Sequence, residues 1–251
     1  MLLLFDVGNT HTHVGLADHR RVRTQFDIPS SDWLNGRAPR TLARFIGRTT
    51  IDAAALCSVV PRTTPLILHH VRASFGKSTL VLTPKTLRLV GIDYPHPDTI
   101  GPDRLANAAA AFARFGAPCL VVDFGTAVTF DVIDSAGNYV GGIIAPGLAA
   151  MTDYLHEKTA LLPRIRIREI SSAIGKSTEQ AMLVGAVHGY RGLVRELIME
   201  LKRELNVRKL PVIATGGYAK LIAAKLPEIT AVDPALTLEG LRLIQAASVL
   251  P

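Results

Sequence analysis

The sequence is short of several things, and each shortage removes a class of protein. It has one Trp and only 6% aromatic residues, and no basic stretch interleaved with aromatics of the kind that stacks on bases. Its two cysteines, Cys57 and Cys119, each lie inside an apolar, strand-like run. That excludes a disulfide framework and predicts buried, reduced thiols. No apolar run approaches the roughly 20 residues of a membrane-spanning helix. The run at Leu2–Phe5 has no basic region ahead of it and is too short for a secretion signal, so a cytoplasmic protein with no membrane partner is expected. A complete P-loop is also missing. Gly76-Lys-Ser-Thr79 and Gly175-Lys-Ser-Thr178 end like one, but the first Gly of the motif is replaced by Val71 and Ile170. A Walker-type nucleotide site is excluded.

What the chain does have is a large core in prospect. Of its 251 residues, 48% are hydrophobic, enough for one large domain or two modest ones. The net charge is +7, but Lys and Arg are scattered. A site for small polyanions accounts for that bias, and no nucleic-acid partner is expected.

One stretch organises the rest. An apolar run, Pro118–Val122, leads into Asp123-Phe-Gly-Thr-Ala127, and an alternating run, Val128–Ile133, follows. This is a strand, a tight turn and a returning strand. Gly lets the turn approach a ligand closely. Free N–H groups there, with the Thr126 hydroxyl, can cradle phosphate oxygens. The Asp closing the first strand can hold a cation. The pattern occurs again at the N-terminus, where Leu2–Phe5 leads into Asp6-Val-Gly-Asn-Thr10 and Val14–Ala17 returns. A single Asp-x-Gly is a common β-turn, but two copies between matching strands point to paired phosphate turns. His11 and His13 flank Thr12; with no third metal ligand evident, their backbone is assigned to the phosphate rather than to a metal.

Between these turns, Ser30-Ser-Asp32 reads as a helix N-cap region, with one amphipathic helix running to about Gly47. A strand at 51–60 and a helix at 63–75 follow. Residues 91–104 are too rich in Pro and Gly for a long element, and a helix begins near Pro102. Asp103 and Arg104 fall in its first turn. An acid there is often just a favourable charge at a helix start, but beside phosphate turns it is also placed as a general base. Gly137-Asn138 is a hairpin turn. Helices are predicted over 148–161, 177–205 and 237–248, with a basic connector at 163–172. A strand at 210–214 runs into Thr215-Gly-Gly217 and a helix start, a third place where a nucleotide can approach.

Two Asp-x-Gly turns and a late Gly-Gly turn resemble the superfamily of actin, sugar kinases and large heat-shock chaperones. Within it, Asp6–Thr10, Gly101-Pro-Asp-Arg104, Asp123–Ala127, Gly141-Gly with Pro146-Gly147, Lys176-Ser-Thr178 and Thr215-Gly-Gly217 are similar to the type III pantothenate kinases over essentially the whole chain. The resemblance implies an α/β fold of two ribonuclease-H-like, actin-like ATPase domains, 1–115 and 116–251, each with a mixed five-stranded sheet and with an ATP cleft between them. It implies phosphorylation of pantothenate by ATP, on the way to coenzyme A. It further implies ATP contacts from Asp6, Val7, Gly8, Asn9, Thr10, His11, Thr12, His13 and Thr126, with Mg2+ carried on ATP near Asp6. Asp103 resembles the general base. Tyr94, Gly101, Pro102, Asp103, Arg104 and Thr178 match substrate contacts, Asp123 matches the ligand of a monovalent cation (K+ or NH4+), and a homodimer is expected. The alternative is an ATP-binding regulatory protein of the same fold without kinase turnover, because fold alone does not set activity.

Overall fold

The structure, a computed structural model, describes residues 1–248. The chain divides into two compact units, one containing residues 1–117, 135–140 and 235–248, the other 118–134 and 141–234.

The first unit is built on a five-stranded sheet. Its strands are β1 (Leu2–Val7), β2 (His11–Ala17), β3 (Val22–Pro29), β4 (Ala53–Ser58) and β5 (Thr79–Val81), in the spatial order β3-β2-β1-β4-β5. β1 runs antiparallel to β2 and parallel to β4. The apolar run of β1 is buried on both faces, which is why it does not alternate with polar residues. Leu3, Phe5 and Val7 point into one core with Trp33, Leu42 and Ile67. These come from α1 (Ser31–Leu34), α2 (Ala38–Ile46) and α3 (Thr64–Phe75). The single helix expected to run to Gly47 is therefore two, broken where Gly36 takes a φ of 69°, a conformation that ends a helix cheaply only at Gly.

Also in this unit are α4 (Pro102–Phe115) and α9 (Leu236–Ala247). They pack together closely because the facing residues are small. A Cβ on Gly240 would collide with the Ala106 carbonyl. At this closeness the Thr237 hydroxyl reaches the buried Asn107 side chain at 2.8 Å.

The second sheet contains β6 (Gly91–Ile92), β7 (Cys119–Phe124), β8 (Ala127–Ile133), β9 (Asn138–Pro146), β10 (Val212–Thr215) and β11 (Ala231–Val232), in the order β11-β10-β7-β8-β9-β6. Five of these strands repeat the first sheet's order, with β9-β8-β7-β10-β11 standing for β3-β2-β1-β4-β5. The central hairpin is antiparallel and the next strand parallel in both sheets. The repeat read from the two turns is thus a repeat of topology. One correction concerns strand number: the second sheet has six strands, not five. The extra strand β6 pairs through Gly91 and Ile92 with Asn138 and Tyr139, and two residues are too few to show a period in sequence.

The second unit's helices are α5 (Leu148–Lys158), α6 (Thr178–Val184), α7 (Tyr190–Glu204) and α8 (Ala219–Ala223). The run from 178 to 204 is continuous but widens to a π-helical segment at Gly185–Gly189. Glycines at both ends of that segment relax the helix there.

Candidate active site

In the first unit the first phosphate turn leaves β1 at Val7 and returns at His11. Asp6 is half-buried, whereas Asn9, Thr10, His11 and His13 are exposed. Gly8 closes the turn by donating its N–H to the His11 carbonyl at 2.9 Å. A Cβ at Gly8 would stand 3.1 Å from that oxygen, so a side chain would loosen the turn. Thr12 is fully buried. The His13 ring is engaged by Asp27 at 2.6 Å.

Asp6 lies opposite Cys57 in the β1–β4 register, and the Cys57 thiol donates to its Oδ1 at 3.4 Å. Burial pushes the Cys57 thiol far above its usual range, with the Asp6 and Asp103 carboxylates opposing its ionisation further. The thiol therefore stays protonated and remains a donor. Both carboxylates act electrostatically on this one buried group, but only Asp6 is in contact with it. Sequence reasoning treated Cys57 as plain core; its register opposite Asp6 was the available signal.

Asp103 stands in the first turn of α4. Its Oδ1 accepts the Arg104 N–H at 2.9 Å. Gly101 makes room for that geometry, since a Cβ there would come within 2.5 Å of the same oxygen. Pro102 opens the helix, where its missing N–H costs nothing. Desolvation raises the Asp103 pKa above the usual carboxylate range, against the lowering effect of the Arg104 N–H and guanidinium. Arg104 extends over the Tyr139 ring, 5.7 Å from its centre, and the Tyr94 ring meets Tyr139 edge-on at 6.2 Å. Tyr139 is almost fully buried, so it is a fixed wall that holds both. The sequence reading missed it, because in β9 it reads as one more inward-facing residue.

In the second unit Asp123 lies one residue before the end of β7, half-buried, and Gly125 and Thr126 are exposed. Two glycines press on this turn. Gly147 donates its N–H to the Thr126 carbonyl at 3.2 Å, and a Cβ at Gly147 would collide with the Gly125 and Thr126 carbonyls. Gly216 follows Thr215, which lies opposite Asp123 in the β7–β10 register. Its φ is 88°, and a Cβ there would be 2.5 Å from Asp123 Oδ1. The motifs around Gly125, Gly147 and Gly216 are thus one packed structure. Thr178 opens α6 and is exposed.

The family model for type III pantothenate kinase matches residues 2–200. The chain belongs to the type III pantothenate kinase family. A type III pantothenate kinase of Akkermansia muciniphila is 48% identical over 242 residues, covering 96% of each chain. One of Methylacidiphilum infernorum is 42% identical, covering 97% of this chain and 87% of its own length. Among solved structures, a ROK hexokinase from Thermus thermophilus superposes with a TM-score of 0.52 at 13% identity, covering 99% of each chain. That likeness supports the two-domain kinase fold expected from the sequence.

Proposed function

We infer that this member of the family transfers a phosphoryl group from ATP to the hydroxyl of pantothenate, giving 4′-phosphopantothenate. The observation that carries the assignment is Asp103. It is a desolvated carboxylate at a helix start, held by the Arg104 N–H on Oδ1, and like Asp6 it opposes ionisation of the Cys57 thiol. Phosphoryl transfer asks a protein mainly for positioning and charge stabilisation. A carboxylate in this place can accept the proton of the attacking hydroxyl.

The other residues take supporting roles in this reading. Backbone groups of residues 6–13, from Asp6 to His13, and the Thr126 hydroxyl bind phosphate oxygens. Arg104 and Tyr94, held on Tyr139, orient the substrate, the guanidinium fork suiting an anionic group. Gly101 and Pro102 shape the start of α4, and Thr178 adds a hydroxyl donor. Asp6, a half-buried carboxylate with a thiol donor on one oxygen, suits Mg2+ carried by ATP. Asp123, a half-buried carboxylate beside the Gly125–Thr126 turn, suits K+ or NH4+. The cations would spread the charge that develops on the transferred group.

A homodimer is part of the proposal. The second unit exposes Leu161, Ile174, Ile144 and Tyr154, each by more than half of its surface. We take these exposed apolar side chains as the candidate face for a second copy of the chain. Leu161→Glu should then shift the mass measured by light scattering towards that of the single chain.

The test of the reaction is mass spectrometry of pantothenate incubated with protein and ATP. A product heavier by one phosphoryl group is expected. Consumption of ATP with pantothenate left unmodified would reject the assignment.

A further inference from the structure

The first phosphate turn is held from below by a residue outside it. Ser30 follows β3 and reads in sequence as a helix cap, yet its side chain caps nothing. It is turned instead to the Gly8–Thr12 segment. Its hydroxyl donates to the Gly8 carbonyl at 2.6 Å, its backbone N–H donates to the Thr10 carbonyl at 3.0 Å, and its Oγ lies 3.1 Å from Thr12 Oγ1. Ser30 is 3% exposed and Thr12 is fully buried.

These contacts settle where the protons are. A carbonyl only accepts, so the single Ser30 hydroxyl proton goes to Gly8. Thr12 must then donate to Ser30. The result is a directed chain, Thr12 O–H to Ser30 O–H to Gly8 C=O, in which each bond polarises the next.

We propose that Ser30 is a positioning residue for the nucleotide: it draws the Gly8 and Thr10 carbonyls inward so that the turn presents N–H groups, not carbonyl oxygens, to the phosphates. The electrostatic reason is direct. A carbonyl oxygen facing a phosphate repels it, and an anion-binding turn works only when its N–H groups converge on the ligand. Asn9, exposed at the tip, has no protein acceptor for its N–H among the described residues. Anchoring the two carbonyls beside it leaves that N–H directed outward. The proposal rests on the phosphate-binding role of this turn given above.

The test measures nucleotide affinity apart from turnover. ATP and pantothenate binding are titrated by calorimetry on wild type, Ser30→Ala, Ser30→Thr and Thr12→Val, with the melting temperature of each. Ser30→Ala should weaken ATP binding about tenfold, the loss expected for one buried hydrogen bond, with pantothenate affinity within about twofold. Ser30→Thr, which keeps the hydroxyl, should recover most of it. Thr12→Val leaves the Gly8 bond in place and should cost about threefold. It also reports on the chain if the alanine variant does not fold. Unchanged ATP affinity in Ser30→Ala would overturn the proposal. So would a parallel loss of both ligands and of melting temperature, the signature of a purely structural residue. Normal ATP binding by a wild type that leaves pantothenate unphosphorylated would reject the kinase reading while leaving this one intact.

Discussion

The Cys57 thiol donates to the Asp6 carboxylate across the β1–β4 pair, at 3.4 Å. Cys57→Ala removes the donor and leaves a small cavity. MgATP should bind several-fold more weakly, consistent with a net bond of about 1 kcal/mol. Cys57→Ser keeps a donor in the same place and should lie closer to wild type. The same burial makes a second result checkable. A thiol held protonated is a poor nucleophile, so native protein should resist alkylation at neutral pH, with labelling appearing only on unfolding. Mass spectrometry of iodoacetamide-treated protein reads this directly.

Asp103→Asn should lower kcat by roughly 10²–10⁴-fold, the usual share of a general base, while ATP and pantothenate still bind. The pH dependence has a definite sign. The base works ionised, and desolvation raises its pKa, so activity should fall on acidification at a pH above the ordinary carboxylate range. That limb should be missing from the residual activity of the Asn variant. A carboxylate with a raised pKa also destabilises the fold when ionised. Asp103→Asn should therefore melt higher than wild type at neutral pH and lose that advantage in acid.

Gly216→Ala tests the second turn. The new Cβ would need a left-handed backbone and would meet both Asp123 and the Phe124 backbone. A stability loss of about 1–3 kcal/mol and a weakened response to K+ are expected. Gly217→Ala is the control for stability, because no protein atom lies within 4 Å of a Cβ there, and it should melt like wild type.

Glu169 and Arg191 join the basic connector to α7. Arg191 is buried, bonding both Glu169 oxygens and the Leu221 and Ile222 carbonyls. The Arg191 hydrogen bond, helped by Lys225, holds the Glu169 pKa down to about 2. The pair's contribution is present above the ordinary carboxylate range and is lost as pH falls towards about 2. Arg191→Met should cost about 2 kcal/mol at neutral pH, mainly through the orphaned carbonyls, because Glu169 is exposed enough to rehydrate. Lys225→Ala should cost under about 1 kcal/mol, as exposed pairs do. Thermal melts at neutral and acid pH separate the two.

What could be read from the sequence was local. Asp6–Thr10 and Asp123–Ala127 declare themselves because an acid, a Gly and a hydroxyl must sit in a fixed order within one turn. The start of α4 at Pro102 is legible for the same reason. What was hidden depends on partners far along the chain. Ser30 looks like a cap because Ser followed by Ser-Asp usually is one, and its true partner, Gly8, is set by how β3 ends. Gly36 was read through because the amphipathic pattern resumes after it. Gly240 gives no sign in sequence that its missing side chain is what admits Ala106. Tyr139 shows only a strand's alternation, since its role as a wall for Arg104 and Tyr94 comes from the pairing of β9 with the short β6.

The most direct test of the central claim is coupled measurement of ADP release, with and without pantothenate, in K+ and then in Na+ buffer. The account predicts release that requires pantothenate, is faster in K+, and is nearly abolished in Asp103→Asn. Release indifferent to pantothenate, or undiminished in that variant, would contradict it.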